Sequence, residues 1–217
     1  NYLEIFKNCE LRESKKNLID SEKHFIEDKL IRKGKVISFF EDIEFSRILM
    51  AWQIPCSKDQ KNILGYEIIS SILTDGRNSI LNKSLKEDMQ IVKSIYSGIQ
   101  PGEFGSLFII EASLKKKNVK KVENIINNLI QELLTNSKLN NKINKAIRIV
   151  KSNYIFNLET SSQLSNFYGN HLLWGRLNPQ IELSNNFKYW ESTENIKILI
   201  KFLLQDKFTF IAHNKKI

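Results

Sequence analysis

Gln90-Ile91-Val92-Lys93-Ser94-Ile95-Tyr96-Ser97-Gly98-Ile99 is broken off by Pro101-Gly102 and answered by Ser106-Leu107-Phe108-Ile109-Ile110-Glu111-Ala112-Ser113. Both runs are rich in β-branched and aromatic residues, and a Pro-Gly turn between such runs predicts two antiparallel strands. From Asn118 the period changes. Val119, Val122, Ile125, Ile126, Leu129, Ile130, Leu133 and Leu134 recur at three and four residues, which is one face of a helix. Strand, strand, helix within one short stretch sets the class as α+β.

The pattern extends in both directions. Upstream, Lys35 to Phe40 and Phe45 to Ile54 read as two strands, the second stopped by Pro55. Ser57-Lys58-Asp59-Gln60 has the capping-box pattern, and the helix it opens carries Ile63, Leu64, Ile68, Ile69, Ile72 and Leu73. Asp75-Gly76 makes a turn before a short helix through Ile80, Leu81 and Leu85. Downstream, one helix runs through Ile143, Ala146, Ile147, Val150, Tyr154 and Leu158. Thr160-Ser161-Ser162-Gln163 opens another, with Leu164, Phe167, Tyr168 and Leu172. Pro179 punctuates, Ser192-Thr193-Glu194 starts a last helix, and Phe208 to His213 is a closing strand. Adjacent antiparallel strand pairs with helices between them predict a mostly antiparallel sheet with helices packed on one face, a two-layer sandwich. The chain reads as a single domain over 1–217, with 1–34 a helix remnant and a polar surface connection.

Composition narrows the class. The chain has 217 residues, Lys+Arg 33, Asp+Glu 24 and a net charge of +9, with 41% apolar residues. A normal apolar fraction excludes disorder, and Gly 8 with Pro 3 excludes a low-complexity chain. Two cysteines, Cys9 and Cys56, are too few for a disulfide scaffold; they fit a reducing compartment and favour the cytoplasm. No apolar run reaches the roughly 18 residues of a membrane span. The chain opens at Asn1 inside an apolar pattern (Tyr2, Leu3, Ile5, Phe6), as a helix cut from a longer protein would. The densest basic run, Lys115-Lys116-Lys117 with Lys120-Lys121, lacks Arg and stacking aromatics. A solvated helix face is favoured over a phosphate-binding patch, and nucleic acid is disfavoured as a partner.

Catalytic patterns are missing. His24, His171 and His213 stand more than 40 residues apart, and none lies one helical turn from another. There is no G-x-S-x-G, Walker A or G-x-G-x-x-G sequence. The acids Glu41, Asp42 and Glu44 sit between two strands, as a solvated loop would place them. The residues name no catalytic and no metal-binding side chain.

One segment is more specific. Ile72-Leu73-Thr74-Asp75-Gly76-Arg77-Asn78-Ser79-Ile80-Leu81-Asn82-Lys83-Ser84-Leu85-Lys86-Glu87 resembles a segment of the insulinase/pitrilysin family of zinc peptidases, which includes the mitochondrial processing peptidase. In that family a helix ends in a G-x-x-S-x-L turn, followed by a short helix ending L-R-E; Gly76, Ser79, Leu81, Leu85 and Glu87 match. Similar in order and spacing are the strand pair around Gly105, the helix pair from Asn118 to Leu158, the helix with Gly169-Asn170-His171, and Ser192-Thr193-Glu194-Asn195-Ile196 before the last strand. The likeness spans roughly Val36 to Asn214.

The resemblance implies the C-terminal domain that follows the zinc-binding one. Such units enclose a chamber that holds an unfolded peptide, often as a strand added to a sheet edge. The family's H-x-x-E-H zinc motif is absent here and belongs upstream, so this fragment needs no cofactor of its own while zinc is expected in the parent protein. The implied partners are that upstream domain, a homologous subunit or half forming a dimer, and a peptide substrate. Zinc-free partner halves often carry an Arg and then a Tyr that touch substrate. Lys86 and Lys93 stand at those places, and neither keeps the full chemistry: Lys86 loses the planar fork and Lys93 the phenol. Lys86, Lys93 and Arg77 are therefore only weak substrate-binding candidates, with Gly76-Arg77 read first as a tight turn. The reading that results is an inert supporting domain of a zinc metallopeptidase. A non-catalytic scaffold subunit of the same family is the alternative, and a basic RNA- or anion-binding module stands well behind both.

Overall fold

The computed structural model describes residues 36–173, 177–205 and 207–214. The expected helix remnant and connection over 1–34, and Trp174, lie outside the described residues. In chain order the elements are β1 (Val36–Glu41), β2 (Ser46–Ile54), α1 (Gln60–Thr74), a π-helical turn (Asn82–Asp88), β3 (Val92–Gln100) and β4 (Ser106–Leu114). Then follow α2 (Val119–Thr135), α3 (Leu139–Phe156), α4 (Ser161–Leu173), α5 (Pro179–Trp190), α6 (Thr193–Leu203) and β5 (Phe208–Asn214). This is the expected α+β unit.

The five strands make one sheet in the order β1-β5-β2-β4-β3. All pairs are antiparallel except β1 with β5. The Pro101-Gly102 turn joins β3 to β4 as expected, with Ile99 opposite Phe108 and Ile95 opposite Ala112. The first two strands differ from expectation, because they are not neighbours. β5 lies between them, with Ser38 beside Ile211 on one side and Ile48 opposite Ile211 on the other. The physical reason lies in the closing strand. Phe208-Thr209-Phe210-Ile211-Ala212 is apolar on both faces and gains most from an interior position in the sheet. The four residues linking β1 to β2 can reach about 13 Å, enough to step over one strand at roughly 4.8 Å per spacing.

Strand pleating sorts the core. Ile48, Met50, Trp52 and Ile54 of β2 and Phe108, Ile110, Ala112 and Leu114 of β4 are buried on the helix side. Each large side chain fully buried there contributes roughly 1.5–3 kcal/mol. From above come Ile63, Leu64, Ile68, Ile69 and Ile72 of α1, and Val122, Ile126 and Ile130 of α2. Leu129, expected on that buried face, is only half-buried because it falls at the side of the α2 stripe. At its centre α1 carries Gly65, against which Trp190 of α5 and Leu199 of α6 pack directly. The Trp190 indole Nε1 donates to the Lys61 carbonyl at 2.6 Å, which fixes the ring over that glycine.

Local signals were honoured unevenly. Thr160 and Gln163 form the expected reciprocal cap: the Gln163 amide donates to Thr160 Oγ1 at 3.3 Å and the Thr160 amide to Gln163 Oε1 at 3.1 Å. At α1 the cap is Asp59, which accepts from the Asn62 amide at 3.1 Å. Ser57 instead donates its hydroxyl to the Gly102 carbonyl at 2.9 Å, tying the start of α1 to the β3–β4 turn. Pro179 does more than punctuate. It occupies the first turn of α5, a place where its missing N–H costs nothing.

Candidate functional site

The Gly76–Glu87 segment is an exit turn for α1. Gly76 has φ 79, the left-handed region that glycine enters without strain. Its carbonyl accepts from the Ser79 amide at 3.1 Å and the Ser79 hydroxyl at 2.7 Å. Asn82 donates to the Thr74 carbonyl at 2.6 Å and so closes the C-terminus of α1. The spacing of glycine and serine is thus explained by the turn they make. Arg77 points outward and pairs with Glu87, Nη2 to Oε2 at 2.7 Å. Lys86 is exposed on the π-helical turn, beside the fully buried Leu85.

Lys93 lies elsewhere, on β3. Its ammonium is 3.6 Å from Glu44 Oε2 and 4.2 Å from the centroid of the Phe45 ring. The fold brings it together with part of the basic run. Lys93, Lys115 and Lys117 line a cavity of about 400 Å³, with Phe45 and Gln90 in the same wall. Three ammonium groups around one opening can receive a carboxylate or another anion. Lys86 and Arg77 are not part of that lining.

Sequence reasoning missed a second place. Glu67 sits inside the apolar run of α1, and its Oε2 accepts from the Tyr154 hydroxyl of α3 at 3.0 Å. Burial raises the Glu67 carboxyl to about 7, with the Tyr154 bond pulling the other way. The Tyr154 phenol is held above its ordinary range by burial, by the charge of Glu67 and by that bond. The two line a cavity of about 370 Å³ with Ser70, Asp75, Tyr96, Asn153 and Asn157 among its walls. The signal in the sequence was one acid in the stretch Ile63-Leu64-Gly65-Tyr66-Glu67-Ile68-Ile69.

That cavity adjoins the outer edge of β3, where α1 supplies side-chain partners to the strand. The Ser97 amide donates to Thr74 Oγ1 at 3.1 Å, and the Ser97 carbonyl accepts from Ser70 Oγ at 2.8 Å. A peptide strand adding at Ser97 would have to displace both.

Among the described residues no three His, Cys, Asp or Glu side chains come together as a metal site requires. The chain's described side chains therefore do not fit a zinc ion. Nor, among the described residues, is any helix long and apolar enough to cross a membrane.

The family model described as "Peptidase M16 inactive domain" matches residues 6–148, about two thirds of the chain. No curated protein shows significant sequence similarity to it. Among solved structures, the peptidase M16 inactive domain from Pseudomonas fluorescens is similar at 13% identity and TM-score 0.70, covering 84% of this chain and 44% of that one. A protease from Helicobacter pylori matches at 15% identity and TM-score 0.65, with 83% and 44% covered. A chain of complex III2 from Candida albicans with Inz-5 bound matches at 14% identity and TM-score 0.66, with 83% and 46% covered. The chain spans less than half the length of each of these structures.

Proposed function

From the premise that the chain belongs to the peptidase M16 family as its inactive domain, we propose that it is the supporting half of a longer zinc peptidase. In this reading a zinc site on an upstream domain hydrolyses an unfolded peptide, and the present domain helps wall the chamber that holds it. The family match carries the reading. The sheet is compatible with it: helices cover one face, while the alternate residues of β2 and β4 on the other face mix apolar side chains (Leu49, Ala51, Leu107, Ile109) with polar ones (Arg47, Gln53, Glu111, Ser113).

The test is reconstitution. The 217-residue chain alone should hold no stoichiometric zinc and leave a flexible peptide uncut. Joined to the upstream part of its parent, it should support hydrolysis that a chelator abolishes. Tight zinc binding by the chain alone, or chelator-sensitive cleavage by it, overturns the reading.

A second reading is favoured by the likeness to the complex III2 chain: the parent is a non-catalytic scaffold that keeps the fold without the chemistry. The upstream sequence separates the two. An H-x-x-E-H on a helical pattern with a further Glu downstream gives the peptidase, and a related domain without those residues gives the scaffold.

A further inference from the structure

The cavity between α1, α3 and the edge of β3 has a charge opposite to that of its protein. The chain carries 33 Lys+Arg against 24 Asp+Glu, yet this cavity is lined by two acids, Glu67 and Asp75, and by no base. Its remaining polar groups, on Ser70, Asn153 and Asn157, include hydroxyl and amide oxygens that can accept from a donor. Tyr154 and Tyr96 add aromatic rings to the wall. Among the described residues Glu67 has one hydrogen-bond partner, Tyr154 at Oε2, which leaves Oε1 as a spare acceptor.

We propose that this cavity binds an organic cation, an alkylammonium or guanidinium group held at the Glu67 carboxylate, with Asp75 adding a second negative charge to the lining. A charge-assisted bond to a carboxylate is about twice as strong as a neutral one, and an aromatic wall adds a cation–π contribution. A metal ion suits the place less well, because no third carboxylate, His or Cys joins the two acids. About 370 Å³ accommodates a short aliphatic amine or the end of an arginine side chain. The ligand's source is therefore either a free small amine or a basic side chain of a polypeptide lying along β3. The site would take such a group whether or not the domain walls a chamber.

Binding is linked to a proton. Burial brings the Glu67 carboxyl to about 7, so a cation must meet it ionised and releases a proton on entry. The charged and titratable groups around it are Tyr154 of α3, Tyr96 of β3 and Asp75 at the end of α1. Lys142 and Lys145 of α3 line the adjoining small cavity that shares Asp75. Of these neighbours, only Tyr154 touches Glu67, and its phenol is shifted upward, away from neutral pH.

The probe is agmatine, which carries an ammonium and a guanidinium group, titrated into the 217-residue chain and followed by backbone amide shifts. Shifts clustered at Ser70, Gly98, Asn153 and Asn157 are expected, with affinity rising about tenfold from pH 6 to pH 8 as the Glu67 carboxyl ionises. Glu67→Gln should weaken binding at pH 8 and flatten the pH dependence, and Asp75→Asn should weaken it at every pH. The pH series on the unsubstituted chain decides the matter if either variant fails to fold. A neutral analogue, butylurea, should leave the cluster unmoved. A capped Gly-Arg-Gly peptide moving the same amides assigns the site to a basic side chain, and agmatine alone doing so assigns it to a free amine. Shifts scattered over other acidic surface positions, equal shifts with butylurea, or a pH-independent affinity overturns the proposal.

Discussion

Two glycines inside helices should respond differently to alanine. A Cβ built on Gly65 of α1 would lie 2.6 Å from Leu199 Cδ1, 2.6 Å from Trp190 Cζ2 and 2.7 Å from Trp190 Cε2. Carbon atoms pack at about 3.5–4.0 Å, so the neighbours would have to retreat by about 1 Å. The indole cannot swing aside freely, because its Nε1 donates to the Lys61 carbonyl at 2.6 Å and the ring is only 2% exposed. Overpacking of this kind costs about 1–3 kcal/mol. A Cβ on Gly169 of α4 meets nothing within 4 Å. Both substitutions gain the same helix propensity, about 1 kcal/mol, so that contribution cancels when they are compared. Gly169→Ala should stabilise by about 0.5–1 kcal/mol, and Gly65→Ala should fall about 1–3 kcal/mol below it. At this chain length each kcal/mol moves Tm by about 2–4 °C, which thermal melts followed at 222 nm resolve. Adding Trp190→Phe should recover part of the Gly65→Ala loss, a coupling expected only of residues in contact. Equal stabilisation by the two alanines would refute the packing of α5 and α6 on the middle of α1.

Ile126→Ala should cost about 2–5 kcal/mol because that side chain is fully buried under the sheet. Leu129→Ala, half-buried on the same helix, should cost less than half as much; similar urea midpoints for the two would mean the buried face of α2 is misassigned. Glu67 makes stability fall with rising pH. Its carboxyl goes from 4.5 to about 7 on folding, so the folded chain holds the proton more tightly. That contribution is complete below pH 4.5 and is lost as pH rises through 7, by at most about 3 kcal/mol since a half-buried carboxyl is partly screened. Glu67→Gln, which cannot ionise, should therefore gain on the unsubstituted chain between pH 5 and pH 8 in urea denaturation; a pH-independent difference would contradict the shift.

Periodicity carried most of the fold, because the residues that face the core are set by local geometry. The alternation in β2, β3 and β4 and the three-four spacing of α2 each follow from which side of a regular element is buried. The place of β5 between β1 and β2 could not be read this way. Strand order depends on which distant apolar run gains an interior position, and a loop as short as Asp42 to Phe45 fits either arrangement. α5 was lost for a different reason: with Pro179 at its start and Phe187 and Trp190 as its buried aromatics, its apolar stripe is too sparse to stand out. Lys93 was legible as an exposed base on a strand, but its neighbours Lys115 and Lys117 come from beyond the next strand, and only pairing of β3 with β4 brings them to one cavity. Glu67 was legible only as an anomaly, since its role depends on Tyr154, 87 residues away.

The two edges of the sheet bear on how such a domain could hold a peptide. An open strand edge offers its outward amides and carbonyls to any extended chain. On β3 that offer is closed at Ser97, whose amide and carbonyl are taken by Thr74 and Ser70. Two helix hydroxyls there satisfy backbone groups that a substrate strand would need, and releasing them would cost about 0.5–1.5 kcal/mol each. Along the same edge lies the Glu67–Asp75 cavity, which offers side-chain recognition in place of backbone pairing. β1 at the opposite edge has the contrary character: Val36, Phe39 and Phe40 are exposed, and among the described residues it pairs only with β5. Under the function proposed above, a peptide added as a strand would find the Ser97 groups of β3 already taken. Thr74→Val with Ser70→Ala, which frees the Ser97 backbone groups, should raise capture of an extended peptide at β3 if those two hydroxyls are what closes that edge, and unchanged capture would contradict that reading.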